Sequence, residues 1–209
     1  MPSRRLGSLT IRWAPLHIAD DTGSFLFSPR SGRTYLVDSD VASGRWLPRL
    51  LGLKPENMAA ELRDPAIGVW PATTTAPAVH GWFLPYVYVF VHHHRRIATI
   101  SRVLRIARLV AFLRVPRART LTEISQCVRA VEERAGVSDC YPRALITAHL
   151  CLRAGRDCSI AFGILAPTRM LHAWCVAERF VPYEPEARHW WYRPLAVLDV
   201  TCRVESRSR

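Results

Sequence analysis

Two residues of this 209-residue sequence have the types and the spacing that nucleophilic catalysis needs. Cys140 stands where a helix should begin, after Asp139, an N-cap type of residue, and before Pro142, which suits a first helical turn. A cysteine there meets unsatisfied backbone N–H groups and the positive end of the helix dipole, and both favour the thiolate. His172 follows on a predicted strand and could move protons as a base.

A carboxylate can complete this pair. The strand after His172 should return antiparallel and bring Glu184 or its neighbours alongside, where a carboxylate would orient the imidazole. Backbone N–H groups at the start of the Cys140 helix would then hold an oxyanion. Two structural alternatives stay open: Cys140 as a small buried hydrophobe, and His172 as a core histidine beside a tryptophan.

Helices followed by strands must position these groups. Residues 120–123 form a capping box for a helix that Gly136 closes, and Gly155 should close the Cys140 helix. Strands are predicted at 159–165, 170–177, 180–184 and 195–200, with a short turn near Glu178. The order indicates an α+β fold with an antiparallel sheet.

The first third of the chain has a different pattern. A strand is predicted within residues 7–18, followed by a β-hairpin from Phe25 to Val37 and by helices near 41–51 and 56–63. A stretch rich in Pro, Ala and Thr without periodicity indicates a linker, so we expect units at 1–66 and 81–209 joined by 67–80. Residues 82–91 suit a strand or another buried segment.

Charge and cysteines limit the possible functions. The net charge is +12, and Lys54 is the only lysine. The arginines are scattered, which favours a solvated surface over a nucleic-acid footprint, although Arg102, Arg105 and Arg108 repeat on one predicted helix. The six cysteines form no C-x-x-C pair, and consecutive histidines at 92–94 point in different directions, so no metal site is expected. No secretion signal or membrane span is evident, which indicates a cytoplasmic protein.

Particular motifs carry a family resemblance. The run DCYPRAL, a strand ending in FGI, and HAWCV before a short hairpin resemble the transglutaminase-like (papain-like) cysteine protease domain of lasso-peptide B proteins. The hairpin and helix FSPRSGRTYLVDSDVASGRWLPRLL are similar to the small PqqD-like leader-binding module of the same family.

This resemblance implies a cysteine peptidase that removes the leader of a lasso-peptide precursor. Cys140 matches the nucleophile, His172 the base and Glu184 the acid, with Asp199 on a later strand as the runner-up. It further implies two partners: the precursor peptide, and an asparagine-synthetase-like cyclase that uses ATP to close the macrolactam. The chain itself would need no cofactor and shows no phosphate-cradling loop.

The leader would add to the hairpin edge as an extra strand. The adjacent helix would supply apolar pockets, and the candidates for this leader-binding groove are Tyr35, Leu36, Val37 and Trp46. Arg30 and Arg33 would meet acidic residues of the leader. Strand alternation requires about half of the apolar ones to belong to the module's own core.

Two other functions stay open. A transglutaminase-like acyltransferase would use the same thiolate to pass an acyl group to an amine. A basic nucleic-acid-binding protein would instead show strongly salt-dependent binding.

Overall fold

The structure is a computed structural model that describes residues 9–13, 24–28, 33–37, 68–69, 82–94, 102, 120–165, 170–185 and 189–200. In its second half the described helices are followed by strands, the order that the sequence predicts for an α+β fold. The described helices of ten or more residues are α1 (Leu84–His93), α2 (Leu121–Ala135) and α3 (Cys140–Ala154). The strands are β1 (Leu9–Trp13), β2 (Ser24–Ser28), β3 (Arg33–Val37), β4 (Gly68–Val69), β5 (Cys158–Leu165), β6 (Met170–Val176), β7 (Phe180–Val181) and β8 (Arg193–Val200).

One antiparallel sheet supports the second half of the chain. Its strand order is β1-β8-β5-β6, so β8 lies between β1 and β5. β1 comes from the first predicted unit but pairs with β8 along its whole length, from Leu9 opposite Val200 to Trp13 opposite Ala196. The division of the chain into two units stays a prediction, yet the unit predicted at 1–66 contributes a strand to this sheet.

The helix ends follow local sequence signals. The Thr120 hydroxyl accepts the backbone N–H of Glu123 at 3.1 Å while the Glu123 carboxylate accepts the N–H of Thr120, which confirms the capping box. Gly136 and Gly155 adopt left-handed φ values of 68° and 77° at the two C-caps, a backbone region that favours glycine. The predicted ends of α2 and α3 are therefore confirmed.

Helix α3 is the centre of the core. Every residue from Pro142 to Cys151 is buried, because α1, α2, β5 and β6 all pack against this helix. Its apolar side chains join those of the other elements in one cluster that includes Tyr88, Ile124, Val128, Ile160 and Phe162. Any charged side chain on this part of α3 must therefore find its partners inside the protein.

For residues 82–91 the sequence left a strand or another buried segment open. Residues 84–93 form a helix that buries Leu84, Tyr88 and Val91, so the second alternative holds; Pro85 stands in the first turn of this helix, where a missing N–H costs nothing, and packing outweighs the β-propensity of the aromatic residues. Within the predicted linker, Gly68–Val69 pairs in parallel with Phe180–Val181, and the linker itself stays a prediction. The hairpin is confirmed, since Phe25 stands opposite Leu36 in β2 and β3. The predicted helices at 41–51 and 56–63 lie outside the described residues, and of the helix predicted to carry Arg102, Arg105 and Arg108 only residue 102 is described.

Candidate active site

Cys140 is the first residue of α3. The Asp139 carboxylate accepts the backbone N–H of Tyr141 at 3.2 Å, so it caps the helix as the sequence predicts. The thiol is partly buried, at the edge of the apolar core. Cys140 therefore lies at the start of a helix that packs against the sheet.

His172 reaches the site from strand β6, where it pairs with Gly163 of β5. Its ring stacks between Tyr192, with centroids 4.6 Å apart, and Trp174, at 5.7 Å. Only 9% of the side chain is exposed. The register between β5 and β8 shifts beside Gly163, and this irregularity lies next to the histidine.

Glu184 follows the short strand β7. The chain reverses after β6 through Glu178 and Arg179, which both have positive φ, and β7 then leads to the carboxylate. Glu184 thus lies in an irregular segment beyond β7, not within a strand as predicted. Its side chain is 1% exposed, and Oε2 accepts a hydrogen bond from His172 Nε2 at 3.1 Å.

The histidine connects the thiol and the carboxylate. It interacts with Cys140 as well as with Glu184, and because Nε2 bonds the carboxylate, Nδ1 is the nitrogen that can face the thiol. Burial lowers the pKa of His172, but the hydrogen bonds and charges of Cys140 and Glu184 outweigh burial and raise this pKa to about 9. The contacts with Cys140 and Glu184 therefore favour the charged form of the His172 ring.

A buried chain of alternating charges continues beyond Glu184. Arg143 Nη1 donates to Glu184 Oε1 at 3.2 Å, and Nη2 donates to Glu132 Oε1 at 2.7 Å. We call Glu132, Arg143, Glu184 and His172 the buried charge chain. Burial opposes both charges, yet their hydrogen bonds lower the pKa of Glu132 and raise the pKa of Arg143.

Residues of α1 contact the Glu132 end of the buried charge chain and the neighbouring Asp139. The Tyr88 hydroxyl donates to Glu132 Oε1 at 2.7 Å and accepts the backbone N–H of Asp139 at 2.8 Å. His92 Nδ1 donates to Asp139 Oδ2 at 2.7 Å. Helix α1 is thereby tied to the residue that caps α3.

The other predicted site residues lie elsewhere or outside the described side chains. Asp199 accepts a hydrogen bond from Ser159 at 2.6 Å, four residues along β5 from the strand partner of His172, so the structure does not bring it to the histidine. The backbone of β3 includes Arg33, Tyr35, Leu36 and Val37, while Arg30 and Trp46 lie outside the described residues.

Three other cysteines cluster at a distance from Cys140. The sulfur atoms of Cys151, Cys158 and Cys175 lie within 4.8 Å of one another, and all three residues are buried. Cys151 stands eleven residues after Cys140 on α3, about 16 Å further along the helix. Within the described part of the chain this is the one group of three possible metal ligands, and it is separate from the candidate active site.

The sequence analysis did not identify the residues that contact Glu184 and its partner Arg143. Arg143 lies inside the DCYPRAL run, but the run does not show which carboxylates the arginine meets, and Glu132 and Tyr88 carry no signal. An arginine among apolar residues of a helix that turns out to be buried was the available clue. Their partners come from three separate elements, so only the tertiary structure joins them.

The fold and this site together define a domain of cysteine-protease type: a cysteine at a helix start, followed by an antiparallel sheet that supplies a histidine. The sequence profile of the Transglutaminase-like superfamily matches residues 86–197, which is more than half of the chain. The chain belongs to this superfamily, which includes cysteine peptidases and acyltransferases. No curated protein and no solved structure gives a significant match.

None of the described helices is long and apolar enough to span a membrane.

Proposed function

We propose that this protein is a cysteine peptidase that removes the leader peptide from a lasso-peptide precursor. One observation carries the peptidase part: His172 donates a hydrogen bond to the buried carboxylate of Glu184 at 3.1 Å and also interacts with Cys140. The substrate part is supported by the resemblance of the DCYPRAL and HAWCV motifs to those of lasso-peptide B proteins. Membership of a superfamily that includes cysteine peptidases supports the peptidase part.

The proposed reaction has two steps. The Cys140 thiolate attacks the carbonyl carbon of the scissile bond, and His172 gives its proton to the leaving amine as the C–N bond breaks. The leader is then held as a thioester on Cys140, and the core peptide leaves with a free amine. His172 next removes a proton from water as the water oxygen attacks the thioester; the C–S bond breaks, the leader leaves as an acid, and the thiolate and the imidazolium are restored.

The start of α3 offers a donor for the oxyanion. The Tyr141 N–H is already bonded to Asp139, residue 142 is a proline without an N–H, and the Arg143 N–H bonds to the Asp139 carbonyl. The backbone N–H of Cys140 is therefore the one at this helix start that can stabilise the tetrahedral intermediate.

Two surfaces support a peptide substrate. β2 and β3 form a two-stranded sheet among the described strands, so an extended leader could add to one of its edges near Tyr35, Leu36 and Val37. Arg30 and Arg33 would meet acidic leader residues, and Trp46 would supply an apolar contact. Near the site, Met170 shares the strand face of His172 and is 57% exposed.

The proposed setting follows from the same resemblance. The freed core would pass to an asparagine-synthetase-like cyclase that uses ATP, while this chain would work without a cofactor. A reducing, cytoplasmic location is part of the same proposal.

An acyltransferase is the second candidate, because the superfamily also includes such enzymes and the thioester step is common to both. The product distinguishes the two reactions. Water as acceptor gives a leader with a free carboxylate, whereas an amine as acceptor gives a leader amide.

The test is mass spectrometry of the precursor peptide incubated with this protein, the cyclase, ATP and a primary amine. We expect wild type and the buried-cysteine control Cys127→Ala to release a free leader acid, and Cys140→Ala to release none. A leader amide as the main product would replace the peptidase with the acyltransferase. Leader loss with Cys140→Ala would refute both.

A further inference from the structure

We propose that Arg143 is a positioning residue that holds Glu184 in the orientation needed to bond His172. The inference rests on the catalytic roles proposed above for Cys140, His172 and Glu184. The guanidinium of Arg143 bonds one oxygen of the Glu184 carboxylate, so it acts on the histidine through that carboxylate.

The first argument is that the two oxygens of the Glu184 carboxylate have different partners. Oε1 of Glu184 accepts from Arg143 at 3.2 Å, while Oε2 accepts from His172 at 3.1 Å. Glu184 stands in an irregular segment, so its backbone alone does not fix the carboxylate plane. A guanidinium on one oxygen sets the direction in which the other oxygen points.

The second argument is the helix that carries the arginine. Arg143 lies three residues after Cys140 on α3, a helix that is buried along most of its length. The same rigid element therefore carries the nucleophile and the cation that holds the acid. Arg143 therefore fixes the Glu184 carboxylate relative to the helix that carries the Cys140 thiol.

The third argument is that Arg143 is itself held in place. Nη2 also donates to the Ser138 hydroxyl at 2.7 Å, Nε donates to Glu132 at 3.2 Å, and the guanidinium lies 5.8 Å from the centre of the Tyr183 ring. Its side chain is 6% exposed. A lysine has no planar fork and could not contact Glu132 and Glu184 in this way.

The decisive variant must remove the contact between Arg143 and Glu184 without leaving a buried charge unpaired. Arg143→Met alone would leave two buried carboxylates against one imidazolium and could prevent folding. The double variant Glu132→Gln/Arg143→Met removes one anion and one cation, so the buried charge chain keeps its balance. The amide oxygen that replaces the Glu132 carboxylate can still accept the hydroxyl proton of Tyr88.

The readout is an NMR titration of the His172 ring in the protein without substrate, assigned by comparison with His172→Gln. The groups that face this ring are Cys140 from α3, Glu184 from the segment after β7, and Tyr192. We expect the pKa of His172 to fall from about 9 towards its ordinary value of 6.5 in the double variant, because the Glu184 hydrogen bond is lost. An unchanged titration would overturn the proposal.

The direction in which the pKa of His172 shifts distinguishes a lost Glu184 hydrogen bond from the electrostatic effect of removing a positive charge. Removing a positive charge while Glu184 stays in place would raise the pKa of His172, whereas losing the hydrogen bond lowers it. Arg143→Lys keeps the charge without the fork, so we expect it to show the same fall. A wild-type titration in Arg143→Lys would contradict the orienting role.

The matched control is Thr147→Val, one turn further along α3. It removes a buried hydroxyl that donates to the backbone carbonyl of Arg143 at 2.8 Å and leaves the guanidinium contacts intact. We expect lower stability and an unchanged His172 titration. Leader cleavage by the double variant should fall roughly 10- to 100-fold. Because the titration needs no precursor, a failed cleavage assay for wild type would refute the proposed substrate and leave this inference standing.

Discussion

At the residue scale, the state of the candidate site depends on the protonation of His172. Its ring lies between the Cys140 thiol and the Glu184 carboxylate and is stacked on Tyr192. These partners stabilise the charged ring against the cost of burial. Because the raised pKa of about 9 differs from the ordinary 6.5, the same contacts must also contribute to folding in a pH-dependent way.

The sign of this contribution is fixed by the direction of the shift. A histidine whose pKa is raised on folding stabilises the fold fully below about pH 6.5 and loses this contribution as the pH rises through 9. We expect the difference in unfolding free energy between wild type and His172→Gln to shrink by up to about 3 kcal/mol between pH 6 and pH 10. Urea unfolding at the two pH values measures it, and a difference that stays constant or grows would contradict the assignment.

At the element scale, Asp139 makes two different contacts at the start of α3. Asp139 caps the helix through Tyr141 and also pairs with His92 of α1. The cap fixes where the helix begins, and the helix begins at Cys140. Loss of this cap should therefore change the thiol as well as the stability.

The comparison of two N-caps tests this coupling. Asp139→Ala and Thr120→Ala should each lower the unfolding free energy by about 1 kcal/mol, because each removes a side chain that caps a helix. Only Asp139→Ala should slow alkylation of Cys140, and Asp139→Asn should restore most of the stability. Equal alkylation rates in the two alanine variants would show that the cap does not position the thiol.

The same elements show what sequence can and cannot give. The ends of α2 and α3 follow from residues close in the chain, namely the capping residues Thr120 and Asp139 and the two C-cap glycines, so they could be predicted. Helix α1 could not, because its aromatic and β-branched residues favour a strand and only packing makes them helical.

At the scale of the whole molecule, pairing between distant segments decides the architecture. β1 lies beside β8 although nearly the whole chain separates them, and strand alternation does not specify a partner. The predicted boundary at 67–80 gave no sign of this pairing. The buried charge chain has the same origin, since Glu132, Arg143 and Glu184 come from three elements.

The pairing of β1 with β8 predicts that the N-terminal strand supports the fold of the second half. Ile11→Pro removes an N–H from β1 opposite Leu198 and should lower the midpoint of thermal unfolding. Leu36→Pro makes the same change in β3, which pairs with β2 and not with the four-stranded sheet. We expect Leu36→Pro to weaken leader binding with a smaller loss of stability. Calorimetry showing the reverse order would contradict this account.

The most direct test of the central claim is the alkylation of Cys140 by iodoacetamide at pH 7, followed by peptide mass spectrometry in wild type and His172→Gln. The charged ring of His172 interacts with Cys140, and a neighbouring positive charge generally makes a cysteine more reactive towards alkylating agents. We expect Cys140 to react first among the cysteines of the wild type, and its rate to fall roughly tenfold or more in His172→Gln. A Cys140 that reacts no faster than Cys127, or at the same rate in both proteins, would contradict a catalytic pair.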